Sequence, residues 1–174
     1  MSGASLCSAT RRRSNEPPPG LDGYLFGVSV AGSFIKLPTF VGSIALDSAP
    51  ALVAAAILGP RAGAAVAGLG HFISAVVGGW PLGPFHWLVA LEMAGLGALF
   101  AVLYQRGWKI GSAAAFFIGN ALLAPLPLVG SFGWPFVLAV IPPLSVAALV
   151  NVLIALAVAP SAARLMAKAG APHA

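Results

Sequence analysis

Apolar runs separated by short breakers occupy nearly everything after residue 20. The first covers residues 21–35 and stops at Lys36-Leu37-Pro38. The second runs over 43–58 and ends at Gly59-Pro60-Arg61, and the third covers 62–78, ending in Gly78-Gly79-Trp80-Pro81. A fourth spans 84–104, up to Gln105-Arg106-Gly107-Trp108-Lys109; a fifth covers 110–128 and a sixth 136–160. Each break carries Gly, Pro or charge, residues that end helices or resist burial in hydrocarbon. Runs of this kind predict bilayer-crossing helices, although several fall short of the ~20 residues a perpendicular span needs. Spans that short require a locally thinned bilayer or ends shared with buried loops.

Composition turns the pattern into a class. Hydrophobic residues make up 59% of 174 positions, charged residues 7%, and the mean hydropathy is +0.96. A soluble domain carries about a quarter charged residues, so there is too little polar surface here to face water. The expected fold is an all-α integral membrane protein, a compact bundle of six transmembrane helices forming one domain over residues 21–162. Residues 1–20 are polar, basic and Pro-rich and read as a disordered cytoplasmic tail; residues 163–174 read as a second, short one. Arg11-Arg12-Arg13 suggests a twin-arginine signal, but no cleavage site follows it. No GxxxxGK[ST] phosphate loop is present, so any ATP-driven step must come from a partner.

Charge then fixes the expected orientation. With a cytoplasmic N-terminus, Arg11, Arg12, Arg13, Arg61, Arg106, Lys109, Arg164 and Lys168 all fall inside and only Lys36 outside, a positive-inside pattern that needs six spans and two cytoplasmic ends. The net charge of +5 therefore speaks of topology and not of nucleic acid. Cys7, the single cysteine, lies in the polar tail and cannot form an internal disulfide.

Ionisable groups within a bilayer are expensive, which makes each a candidate for function. Asp47 lies near the outer end of the second run, His71 near the middle of the third, His86 at the start of the fourth and Glu92 nearly two turns deeper. Trp80 and Trp134 lie in the Gly/Pro-rich outer loops GGWPLGP and GSFGWP, beside Phe85. Asp47, His86, Lys36, Trp80 and Trp134 converge on the outer half of the bilayer, with His71 and Glu92 below, where an importer would hold a captured ligand. Structural readings stand beside the functional ones. Asp47 can pair with Lys36, Glu92 with His71, and Asn120 and Asn151 can join helices. Trp80 and Trp134 also suit an interfacial belt, as Trp108 does at the inner side. No close metal-ligand spacing occurs, and His86 and Glu92 fall on helix faces roughly 120° apart. No Ser or Cys is paired with a base in a catalytic pattern, so no enzyme is expected. Gly23, Gly27 and Ala31 recur every four residues in the first run, a face suited to packing or to docking another membrane subunit.

Several stretches together resemble the substrate-binding subunits, or S components, of energy-coupling factor (ECF) vitamin transporters. They are Leu37-Pro38-Thr39, Gly42 through Pro50 (GSIALDSAP), Leu58-Gly59-Pro60, Gly70-His71 with Ser74-Ala75, and Pro81-Leu82-Gly83-Pro84. Within that family the chain looks most similar to the branch assigned to alpha-ribazole, a cobalamin precursor. The resemblance implies a six-helix protein of the bacterial cytoplasmic membrane that captures a vitamin-like molecule near the outer face. It also implies docking onto an ECF transmembrane coupling subunit driven by ATPase subunits, partly through Gly27 and Ala31, where the family carries AxxxA. For a ligand such as alpha-ribazole, Trp80, Phe85 and Trp134 would stack on the ring system. Asp47, His71, His86, Glu92 and Asn120 would supply polar contacts. Neither a cofactor nor a resident metal is implied, nor any nucleic-acid partner. The competing reading is a stand-alone secondary transporter or cation/proton channel using Asp47, His71 and Glu92. The lack of an evident internal repeat speaks against it.

Overall fold

The computed structural model describes residues 36–39, 42–45 and 48–169. In chain order these form strands β1 (Lys36–Thr39) and β2 (Gly42–Ala45), then helices α1 (Ser48–Leu58), α2 (Pro60–Val77), α3 (Phe85–Gln105) and α4 (Lys109–Ile118). A π-helical turn Gly119–Leu123 and a 3-10 turn Leu126–Leu128 lead into α5 (Val129–Ala169). The first apolar run, with Gly27 and Ala31, and also Asp47 lie outside the described residues.

One expected boundary is corrected at once. Residues 43–45, read above as the start of the second span, belong to a β-hairpin in which Lys36 pairs with Ala45 and Thr39 with Gly42. Apart from this short hairpin every element among the described residues is helical, in keeping with the all-α class. Pro38 cannot continue a helix, whereas Pro50 is tolerated in the first turn of α1, so the helix starts late and is short.

Helix α1 has no polar face. Ala51, Leu52, Val53, Ala54 and Ala55 are all buried, and five consecutive buried residues mean that every side is covered. Helices α2, α3 and α5 surround it. With Val66, Ala67, Met93, Phe100, Ala101, Phe116, Val152 and Ala155 it forms the central apolar cluster. Its alanines keep the neighbouring backbones close.

Small residues also weld α2 to α3. A Cβ built on Gly97 would sit 2.5 Å from the Gly63 carbonyl oxygen, and one on Gly68 would sit 3.1 Å from both the Ala90 oxygen and the Ala94 Cβ. The two helices run antiparallel with their backbones in contact. The third and fourth runs are thus helical within a residue or two of the expected limits.

The fifth run, expected as one helix over 110–128, is helical in three forms. Leu96 presses on Gly119 where the α-helix gives way to the π-helical turn. The sixth, expected over 136–160, extends from Val129 to Ala169 with a kink at Gly133 (φ 77°, ψ 168°) and four internal prolines. Beyond the kink it measures about 54 Å, longer than the ~30 Å hydrocarbon layer.

Polar and apolar surfaces are arranged opposite to those of a water-soluble protein. Leu91 is 74% exposed, and Leu69, Leu99, Leu138, Leu149 and Leu153 are also exposed. Ser74, His86, Ser112, Asn120 and Asn151 are buried instead. Such an exterior is at home in lipid. Helix α3 and the stretch Lys109–Ala167, with its turns and its kink, are each long and apolar enough to cross a membrane.

Candidate functional site

The α2–α3 turn is built by its glycines and prolines. Helix α2 ends as Gly79 N–H donates to the Val76 carbonyl (3.1 Å) and Trp80 N–H to the Ala75 carbonyl (2.9 Å). Gly79 takes the left-handed conformation (φ 85°) that this closure demands. Trp80 follows at φ 58°, the only non-glycine residue with positive φ among those described. A side chain in that region is strained and must be held by its surroundings. The holders are rings: Trp80 lies 5.1 Å from Phe72, edge-on, and 5.1 Å from His86. Phe72 in turn packs on Trp87 at 4.3 Å.

His86 joins the turn to the helix that follows. The Leu82 amide donates to His86 Nε2 at 3.2 Å. A nitrogen that accepts carries no proton, so in the neutral ring the proton sits on Nδ1. His86 Nδ1 is buried and has no hydrogen-bond partner, and the same is true of His71 Nε2. The two ring centroids stand 5.6 Å apart, brought together by the antiparallel α2–α3 register. Two uncommitted imidazole nitrogens, one of them a fixed donor, thus share one aromatic-walled corner with Trp80. Unpaired polar groups within a bilayer cost several kcal/mol, so the corner is suited to a ligand that supplies the missing partners.

Glu92 does not join that corner. It belongs to the stripe Phe85, Val89, Glu92, Leu96, whose ends meet Phe132 (ring centroids 5.4 Å) and Gly119. This face looks toward the π-helical turn and the start of α5. The expected Glu92–His71 pairing is absent: Glu92 Oε2 is buried and unpartnered, as is His71 Nε2. Asn120, in the π-helical turn, is buried and directs Nδ2 to the Met93 sulfur at 3.4 Å, a weak acceptor. Trp134 is 57% exposed and away from the His71–His86 corner's ring contacts. Asn151 proves structural, since its Oδ1 accepts from the Ala49 amide.

The site residues named from sequence therefore divide. His71, His86 and Trp80 come together, Phe85 and Glu92 lie on another face of α3, and Asn120 meets α3 at Met93, two turns along the helix from His86. Phe72 was missed, with only its adjacency to His71 to hint at it, and Trp87 was legible only as an aromatic at the outer ends of the helices. Among the described residues no three His, Cys, Asp or Glu side chains gather as a metal-binding set.

Neither a curated protein nor a solved structure is significantly similar to the chain. Residues 21–163 match the family described as ECF transporter, substrate-specific component, and that span contains every helix-borne site residue above. The chain thus belongs to the substrate-specific components of ECF transporters, membrane transport subunits that bind small substrates and work with ECF membrane and ATPase modules, and is not an enzyme.

Proposed function

We propose that this chain captures a small vitamin-like molecule, alpha-ribazole first among them, at the outer face of the bacterial cytoplasmic membrane. It then delivers that molecule through a coupling subunit driven by ATPases. The observation that carries the reading is the His71–His86 corner: two buried, unpartnered nitrogens beside a strained tryptophan. A flat heterocycle suits the Trp80 and Phe72 walls, and ring nitrogens or ribose hydroxyls suit the His86 Nδ1–H donor and the His71 nitrogen. Glu92 and Phe85 would contact the remainder of the ligand from the other face of α3, with Asn120 below His86 and Trp134 at the outer edge. Asp47 would contribute a polar group, and Gly27 and Ala31 would form the docking face toward the coupling subunit. A six-span domain with both termini in the cytoplasm would use the five α-helices of the described residues together with the apolar run 21–35, and the positive-inside distribution of Arg and Lys supports that reading.

Calorimetry on the detergent-purified protein tests this, with alpha-ribazole, dimethylbenzimidazole, cobalamin, thiamine-related compounds and riboflavin as titrants. Submicromolar binding of alpha-ribazole that His71→Ala weakens about tenfold or more supports the substrate and the site together. Tight binding of another vitamin discards the substrate and keeps the class. Absence of binding, with proton or cation flux in liposomes holding this chain alone, overturns the proposal.

A further inference from the structure

The opposite end of the α2–α3 hairpin carries a surface that substrate capture does not use. Helix α3 closes as α2 does: Gly107 N–H donates to the Tyr104 carbonyl (3.0 Å) and Trp108 N–H to the Leu103 carbonyl (3.0 Å), with Gly107 at φ 87°. The closure throws Trp108 outward, 69% exposed, with Ile110 beside it at 85%. Between them Gly107, Trp108, Lys109, Ile110 and Gly111 line an open recess of about 490 Å³. Arg106 and Lys109 flank it, both exposed, and the Lys109 ammonium lies 5.7 Å from the centre of the Tyr104 ring.

More positive charge lies at the same end. Gly59 abuts Gln105, the last residue of α3, and so brings the exposed Arg61 to this level. Exposed Arg164 follows Ala162, which packs against the central cluster alongside Leu58. No acidic side chain among the described residues offsets these cations. The one acidic group described, Glu92, lies about 21 Å back along α3. A bilayer-embedded surface with clustered cations, an interfacial tryptophan and an exposed isoleucine is complementary to one kind of molecule. That molecule has an anionic head at the level of Arg106 and Lys109, and acyl chains that run toward exposed Ile110 and Leu99.

We propose that the Gly107–Gly111 recess, flanked by Arg106 and Lys109 and walled by Trp108, is a binding site for the headgroup of an anionic phospholipid. The cations pair with the phosphate, the indole lies at the headgroup–acyl boundary, and Gly107 leaves the recess open because no side chain projects there.

Native mass spectrometry and thermal unfolding of the full chain test the site. The lipids are phosphatidylglycerol and phosphatidylcholine of identical acyl chains, with inorganic phosphate as a third probe. Phosphatidylglycerol is expected to be retained and to raise the Tm saturably, while phosphatidylcholine and inorganic phosphate do neither. Each cation facing an anionic headgroup is worth about fivefold in affinity, so R106Q with K109Q should weaken retention about 25-fold. If that double variant fails to fold, Trp108→Ala with both cations intact should still weaken phosphatidylglycerol retention. Equal retention of the two lipids overturns the proposal, as does full retention by the substituted chains. A Tm rise that inorganic phosphate alone reproduces also overturns it, since the site would then take a free anion and not a lipid.

Discussion

The Ala49 amide donates to Asn151 Oδ1 at 2.9 Å, joining two residues 102 positions apart in the chain. One side chain thereby caps an otherwise orphaned donor in the first turn of α1 and ties α5 to the start of that central helix. In hydrocarbon no water can replace the amide of Asn151. Asn151→Leu is expected to destabilise the protein by about 1–3 kcal/mol, read as a lower unfolding temperature in detergent.

The two histidines should separate when substituted. His71→Ala removes an uncommitted nitrogen, so affinity should fall about tenfold or more with little change in unfolding temperature. His86→Ala also strands the Leu82 amide that Nε2 accepts from, which costs about 1–3 kcal/mol. That variant should lose binding and stability together. Calorimetry and thermal unfolding on both proteins check the contrast. A His86 variant of unchanged stability would show that the Leu82–His86 hydrogen bond does not hold the turn.

Glycine substitutions along α3 should differ in sign. At Gly97 a new Cβ meets the Gly63 carbonyl oxygen at 2.5 Å and the Ala67 Cβ at 2.9 Å, with backbone that cannot swing aside. Gly97→Ala is expected to cost about 1–3 kcal/mol by forcing the helices apart. At Gly95 nothing lies within 4 Å, so Gly95→Ala should be neutral or stabilising by up to about 1 kcal/mol through helix propensity. Unfolding temperatures of the two variants, measured in the same detergent, check the sign.

Trp80 combines strain with ring contacts. The left-handed backbone costs a non-glycine residue roughly 1–2 kcal/mol, a cost offset by packing on Phe72 and His86. Trp80→Gly relieves the strain and loses the packing, so its stability should stay near that of the parent while ligand affinity falls. Trp80→Val keeps the strain and adds a β-branch, and should be the less stable of the two. Comparing the unfolding temperatures of the pair is the check.

Much of the fold was legible because its signals are local. Gly78-Gly79 and Arg106-Gly107 end α2 and α3 close to where the breakers place them. The strand at Gly42–Ala45 was hidden by hydrophobic continuity, since Ile44-Ala45-Leu46 reads equally well as helix. The switch of helix type at Gly119 depends on Leu96, which arrives from another helix, and no local pattern reports it. The site was legible by residue type more than by arrangement. His71, His86 and Glu92 stand out as polar groups in apolar runs, but which of them meet depends on the α2–α3 register. That register is set by Gly63 and Ala67 against Gly97. The small-residue stripe Gly63, Ala67, Gly70 and Ser74 marks the face of α2, but nothing local says which residue of α3 it meets. The helix-joining duty of Asn151 was legible from its type and place, but its partner, the Ala49 backbone amide, was not.

Both ends of the α2–α3 hairpin close with a left-handed glycine followed by a tryptophan, at Gly79-Trp80 and Gly107-Trp108. The 18 residues of α2 and the 21 of α3 rise about 27 and 31 Å, and their backbone contact prevents either from tilting alone. The hairpin therefore acts as a rigid gauge of membrane thickness. In a bilayer of longer acyl chains the lipid, not the protein, has to yield, and the resulting mismatch will sort this chain toward thinner regions of the membrane.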